Sequence, residues 1–436
     1  MSSPSSVLAA TAVPAAAPSS AALPVAVLGG GAAGFFGAIA CAEANPSQPV
    51  FLLEKSPKLL SKVRVSGGGR CNVTHACESA AQLMQHYPRG SRGLKEAFQR
   101  FGVADTVAWF AQRGVQLKTE ADGRMFPTTE SSETIAQALE SAARQAGVHV
   151  FTRTAVERIT PLPTGGFELI LSGEGNTRLG SPLRVGQLLV ATGGSAKAEA
   201  YDWLRALGHS VAPPVPSLFT FNVPASPLRE LPGVSVPHAR VVLAGEKLQY
   251  EGPLLVTHWG VSGPAVLKLS AWGARRLHEL AYHGTALISW VPAHTDDTLR
   301  AWAQQYRQEN GKKQVAAHPQ FGLPTRLWRT LMAEAGLGAD ARWSEVPAKA
   351  QNRLLELLLR TPLQVQGKTT HKEEFVTCGG IPLAEINFQT MESRRVPGLY
   401  FAGEVLDIDG ITGGFNFQAA WTTGWLAGRS LALAQP

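Results

Sequence analysis

The chain has 436 residues, 44% of them hydrophobic and 17% charged. That length buries a large core and suggests two or three domains, and the composition excludes a collagen-like or wholly disordered chain. Forty Lys+Arg against 33 Asp+Glu give a formal charge of +7, which suits acidic partners such as nucleic acid or phosphorylated cofactors and is silent on fold.

Residues 1–22 are mostly Ser, Ala and Pro and lack the basic start of a signal peptide, so they read as a disordered tail. Leu23 to Ala42 is uncharged for long enough to span a bilayer. Five glycines in that window argue for a turn instead, and no membrane partner is expected. "PVAVLGGGAAGFFGAIACAEA" predicts a strand over 25–28, a glycine turn and a helix over 32–44. Gly29, Gly31 and Gly34 stand in G-x-G-x-x-G register: a sharp turn, a close approach to pyrophosphate, and a helix packed on a strand. A second apolar strand, "PVFLLEK" (49–55), delivers Glu54 twenty residues past Gly34, where a carboxylate can accept from ribose hydroxyls. No Lys-Ser/Thr follows the glycines, which excludes a kinase-type phosphate loop.

Lys55, Lys58, Lys62, Arg64 and Arg70 make the next segment basic, and it ends in "SGGGRCN" (66–72). Gly67–Gly69 with Arg70 are expected to form an anion nest against the pyrophosphate or the flavin ring. Cys71 and Cys77 give C-x5-C, one residue longer than the C-x4-C of flavin disulfide reductases. A single thiol at the flavin is therefore preferred to a redox pair. Four scattered cysteines make neither a disulfide scaffold nor a zinc site, so no metal and a reducing, cytoplasmic setting are expected.

Residues 76–150 carry helical patterns, followed by strands that end in Ala191-Thr192-Gly193-Gly194, small enough to pass close beneath a cofactor. From 213 to 295 short alternating strands and Pro-rich loops suggest an inserted β-rich substrate domain. Within it "THWGVSGPA" places His258 and Ser262 at a turn that is not a hydrolase elbow. Residues 296–362 have helix-period patterns and read as a lid-like helical domain. No second G-x-G-x-x-G marks a separate nicotinamide-binding domain. The C-terminal part (363–436) completes the first domain (23–212): "GLYFAGE" delivers Glu404 after Gly403, and the glycines at 413 and 414 lead into a helix near Asn416. Its N-terminus would stabilise negative charge on a reduced flavin. Two distant nucleotide-contacting segments on one sheet fit FAD better than NAD.

Together, "LGGGAAG", "EK", "SGGGRCN", "ATGG", "THWGVSGPA", "TCGG" and "TMES…PGLYFAGEVLDIDGITGGFNFQ" resemble the BaiN/RdsA family of NAD(P)/FAD-dependent oxidoreductases, over about residues 24–430. The resemblance implies an α/β fold: a glutathione-reductase-type Rossmann FAD-binding domain with an inserted β-barrel-like domain and a small helical domain. It implies FAD contacts at Gly29, Gly31, Ala33, Gly34, Glu54, Lys55, Arg70, Cys71, Asn72 and Gly193, with Gly403, Glu404, Gly413, Gly414, Asn416 and Phe417 completing the site. The stretch after "ATGG" lacks a Pro/Gly-rich run often found in relatives, so one contact there can differ. By this resemblance NAD(P)H, a transient donor, passes hydride through the flavin to an activated C=C bond. The implied substrates are a uridine of ribosomal RNA (dihydrouridine formation) and a small-molecule enone of steroid or bile-acid type. Cys71 is the first candidate proton donor, with His371 and His258 behind it. RNA is favoured by the net charge and by the cluster Arg89/Arg92/Lys95/Arg100. The competing readings are a flavin disulfide reductase using Cys71 and Cys77, and a non-catalytic flavin-bearing RNA-binding factor.

Overall fold

The computed structural model describes residues 23–369 and 376–433. The expected tail at 1–22 and the candidate His371 lie outside the described residues.

Strands β1 (Val25–Leu28) and β2 (Val50–Leu53) are continuous apolar runs, and nearly all their residues are buried, as the centre of a parallel sheet requires. β1 pairs in parallel with β2 on one side and with Gln187–Val190 on the other. His149–Phe151 adds outside β2, and Leu399–Phe401 outside Gln187–Val190. Two short antiparallel strands, Glu392–Ser393 and Ile386–Asn387, finish the seven-stranded sheet at that edge.

Helix α1 (Ala32–Ala44) is apolar all round because it is covered all round: the sheet lies on one side and the C-terminal helix Phe415–Leu433 on another. Glycines set their separation. A Cβ on Gly428 would lie 2.2 Å from Gly37 O, and one on Gly424 would lie 2.6 Å from Ala33 O. The window that was long enough to span a bilayer is thus β1, the turn and α1. Among the described residues no helix is long and apolar enough to cross a membrane.

A second seven-stranded sheet takes in the insertion and also residues 363–369, which the expected boundary at 362 had given to the first domain; its order is Thr361–Gln366, His283–Ser289, Ser235–Leu243, Leu248–Val256, Gly260–Ser262, Thr220–Asn222, Lys368–Thr369. All its pairings are antiparallel. Helices Asp296–Asn310, Thr325–Glu334 and Ala348–Arg360 follow in the insertion. Their apolar faces (Leu299, Trp328, Leu354) join Val241 and Ile288 of that sheet in one hydrophobic core, distinct from the core around the parallel sheet.

Candidate functional site: one cavity across the ends of the parallel strands

A cavity of about 610 Å³ opens at the carboxyl ends of the parallel strands, the place where doubly wound sheets take their ligands. Its floor is built from the residues just past each strand: Gly29–Gly31 after β1, Glu54 after β2, Ala191–Gly194 after Gln187–Val190, and Ala402–Glu404 after Leu399–Phe401.

The glycine turn is shaped as its spacing demands. Gly29 has φ +110 and lies so close to the neighbouring strand that a Cβ would fall 2.4 Å from Ala191 O. A Cβ on Gly34 would lie 1.9 Å from Gly29 O, so only glycine lets α1 start there. Gly31 is the opposite case: a Cβ there meets nothing within 4 Å, because that side faces the cavity. α1 begins with no side-chain cap and no acid in its first turn, and Ala32 and Ala33 line the cavity, which leaves its N-terminus able to take an anion. Glu54 is fixed by backbone donors, Gly30 N at 2.7 Å and Ser56 N at 2.8 Å. Gly193 (φ +75) also offers open space at its Cβ position.

The C-terminal half closes the other side. Gly403 (φ +75) abuts Ala33, and Glu404 accepts from Thr377 N at 2.7 Å and pairs with Lys62 Nζ at 2.6 Å. The turn before the last helix is held from behind. Asn416 clamps Gly410, accepting from its N–H at 2.8 Å and donating to its carbonyl at 3.0 Å. His75 Nδ1 donates to Gly413 O at 3.0 Å, and Tyr87 Oη to Phe415 O at 2.5 Å. Asn72, its amide oriented to suit both partners, donates to Thr74 O and accepts from Gly414 N, each at 3.0 Å. Gly413, Gly414, Asn416 and Phe417 all line the cavity.

Other expected residues sit elsewhere. Lys55 is exposed and off the cavity wall. The glycine run at 67–69 ends helix α2 (Ser61–Gly69), and of the basic segment Lys58 and Lys62 line the cavity. Arg70 turns outward to Glu120 at 2.7 Å and Glu130 at 3.1 Å, stacked over Phe126, while Arg64 pairs with Glu133 and Glu140 on a neighbouring helix. The expected basic nest is therefore replaced by ion pairs, and only Ser66, Gly67 and Asn72 of the motif line the cavity. Cys71 is fully buried behind that wall, and burial pushes its thiol up to about 12. Cys77 is also a free thiol, raised to about 11 by burial. His258 is exposed and off the cavity; its carbonyl accepts from Arg229.

Sequence reasoning missed the far wall. Leu218, Thr220, Ser262, Leu267 and Thr369 of the inserted unit roof the cavity, with Arg124 beside them. Only Ser262 carried a local signal, its turn; Thr220 and Thr369 become neighbours through antiparallel pairing, and Leu267 arrives on helix Pro264–Trp272. Arg89 is also displaced from the expected surface cluster. Its side chain is only 11% exposed and pairs with the wholly buried Asp409.

Comparison with known proteins now decides the family. The HI0933-like protein Rossmann domain matches residues 23–430. The chain belongs to this family. Its members of the BaiN/RdsA type are FAD-dependent oxidoreductases, so the Rossmann-type FAD-binding fold follows for this chain. The chain is 28% identical over 419 residues to a 3-dehydro-bile acid delta(4,6)-reductase of Clostridium scindens, covering 94% of this chain and 98% of the relative. It is 30% identical over 422 residues to the ribosomal RNA dihydrouridine synthase of Escherichia coli K12, with the same coverages. The fold is similar to that of 3-ketosteroid-delta4-(5alpha)-dehydrogenase from Rhodococcus jostii RHA1, with a TM-score of 0.52 at 14% identity, covering 98% of this chain and all of that one.

Proposed function

We propose that this chain uses NAD(P)H to reduce a polarised C=C bond, and that the bond belongs to a uridine of ribosomal RNA. The carrying observation is that the dinucleotide cradle and the roof of the inserted unit share one cavity, which supports a substrate chamber beside the flavin. Bound in the cradle, FAD would supply the hydride carrier. The chain's residues supply binding and orientation. The N-terminus of α1 takes the pyrophosphate, and Glu54 and Glu404 take ribose and ribityl hydroxyls. Gly413, Gly414 and the last helix's N-terminus favour negative charge beside them. Ser262 and the Arg124 guanidinium offer donors to a uracil carbonyl, and that hydrogen bonding polarises the conjugated C=C. Among the proton-donor candidates, Cys71 and His258 stand off the cavity wall, whereas His371 follows the lining residue Thr369 by two positions in the sequence.

A second reading, a steroid-like enone, is favoured by Leu218 and Leu267 in the roof and by the bile-acid-reducing relative. The test compares dihydrouridine in large-subunit ribosomal RNA with and without the gene, alongside NAD(P)H-driven reduction of RNA and of a steroid enone by the purified protein. Loss of a dihydrouridine on deletion supports the RNA reading. Unchanged RNA with enone turnover replaces it by the second.

A further inference from the structure

A second cleft, of about 370 Å³, shares no lining residue with the cofactor cavity. One wall is the start of helix Ser91–Arg100, with Arg92, Gly93 and Glu96; the other is the segment Leu383–Gln389 together with Arg394. Phe388 is half-buried in this cleft and packed on Gly93 so closely that a Cβ on Gly93 would lie 2.7 Å from its Cζ. Arg92 is exposed and makes no ion pair or hydrogen bond among the described residues. Arg394 is also exposed and is anchored through its Nε to Ile386 O at 3.1 Å. Asn387 spends its Oδ1 on Gln389 N, which leaves its amide NH₂ to the cleft. Further along the same helix Lys95 and Arg100 are exposed.

We infer that this cleft is a docking site for single-stranded RNA outside the catalytic cavity, with Phe388 as a stacking platform for a base and Arg92 and Arg394 as phosphate contacts. The inference rests on the RNA reading above and extends it to where the strand runs. The donor set favours this occupant. Forked cations on opposite walls suit a phosphodiester backbone. A held aromatic ring suits an unstacked base, and a carboxylate beside an amide suits its hydrogen-bonding edge. An acidic peptide would leave the ring unused.

The test titrates the FAD-loaded full chain into a short fluorescein-labelled single-stranded RNA at several salt concentrations, reading anisotropy. R92Q/R394Q is expected to reduce the slope of log affinity against log salt by about 1.4, at about 0.7 for each phosphate no longer neutralised. F388A is expected to weaken binding about tenfold or more. Bound FAD, read by its absorbance, confirms that each variant is folded, and the arginine variant serves if F388A is not. Unchanged slope and affinity in the arginine variant overturn the proposal. Displacement of the RNA by polyglutamate, itself lost in R92Q/R394Q and kept in F388A, also overturns it and assigns an acidic protein. A wild-type protein that binds no RNA sinks the RNA reading and the cleft together. A wild type that modifies RNA, with variants binding equally well, sinks the cleft alone.

Discussion

Two histidines stand behind the turn that leads into the last helix, their rings stacked on Phe415 at 4.6 Å (His75) and 4.3 Å (His86). Burial, then the charges of His75 and Lys268, pulls His86 down to about 4. Burial also lowers His75, against the pull of the Gly413 carbonyl. An unfolded imidazole titrates near about 6.5, so below that pH the unfolded chain binds more protons than the folded one. The stabilisation from keeping these rings neutral is complete above about pH 6.5 and is lost as the pH falls towards about 4. The urea midpoint is therefore expected to drop between about pH 7 and about pH 5, and H86F to flatten part of that drop; parallel curves would remove His86 as its source. The glycines of the first motif were legible in the sequence because each answers a backbone demand. Arg70 was not: the carboxylates that claim it lie fifty and sixty residues further along, and a single sequence carries no sign of that pairing. The same holds for the buried Ser393–His209–Glu385 array, spaced at 3.0 and 2.7 Å like a nucleophilic triad. There Ser393 Oγ accepts from the N–H groups of Arg395 and Val396, so it is a staple of the sheet edge and not a nucleophile.

At the scale of elements, the crossing of α1 with the last helix carries the cradle. Both helices present their N-termini to the same cavity, and small residues bring their backbones together. Gly428→Ala puts a methyl against a backbone carbonyl that has nowhere to go, and overpacking of this kind costs about 1–3 kcal/mol. A lower denaturant midpoint with unchanged slope is expected, and a stability equal to wild type would show that the crossing can open without strain. The β-turn-α unit was legible because apolar runs, glycine spacing and the acidic residue after β2 reinforce one another within some thirty residues. The insertion was legible only as β-rich and then helical. Its sheet pairs His283–Ser289 with Thr361–Gln366 across three intervening helices, and those helices bury their apolar faces in the same core as the sheet. Periodicity finds an apolar face; it does not say what that face meets. The roof of the cavity was hidden for the same reason.

Across the whole molecule, the two cores are linked by a buried charged cluster around Arg89, beside a second pair of Arg275 with Asp407. The Arg89 guanidinium pairs with Asp409, donates to Ala271 O at 2.7 Å and reaches Ser217 Oγ at 3.4 Å, while Ser217 Oγ donates to Asp409 at 2.7 Å. Burial raises the Asp409 carboxyl, against the pull of Arg89 and Ser217. Arg89→Ala leaves that carboxyl buried without its cation, a change that costs about 3–5 kcal/mol. Hydrogen exchange gives the sharper readout. In the wild type, FAD loading is expected to protect both the turn at 410–414 and the roof strand Thr220–Asn222. In the variant only the turn is expected to respond, and a roof that still responds would show that the signal travels another way. Asp409 immediately precedes the turn that lines the cavity, and Ala271 sits on the helix that brings Leu267 to its wall. One guanidinium thus ties the coenzyme's seat to the ceiling above it. If FAD seats as proposed, loading the coenzyme and finishing the chamber become a single act, and a protein without its flavin is expected to lack the shape of its substrate as well as the means to reduce it.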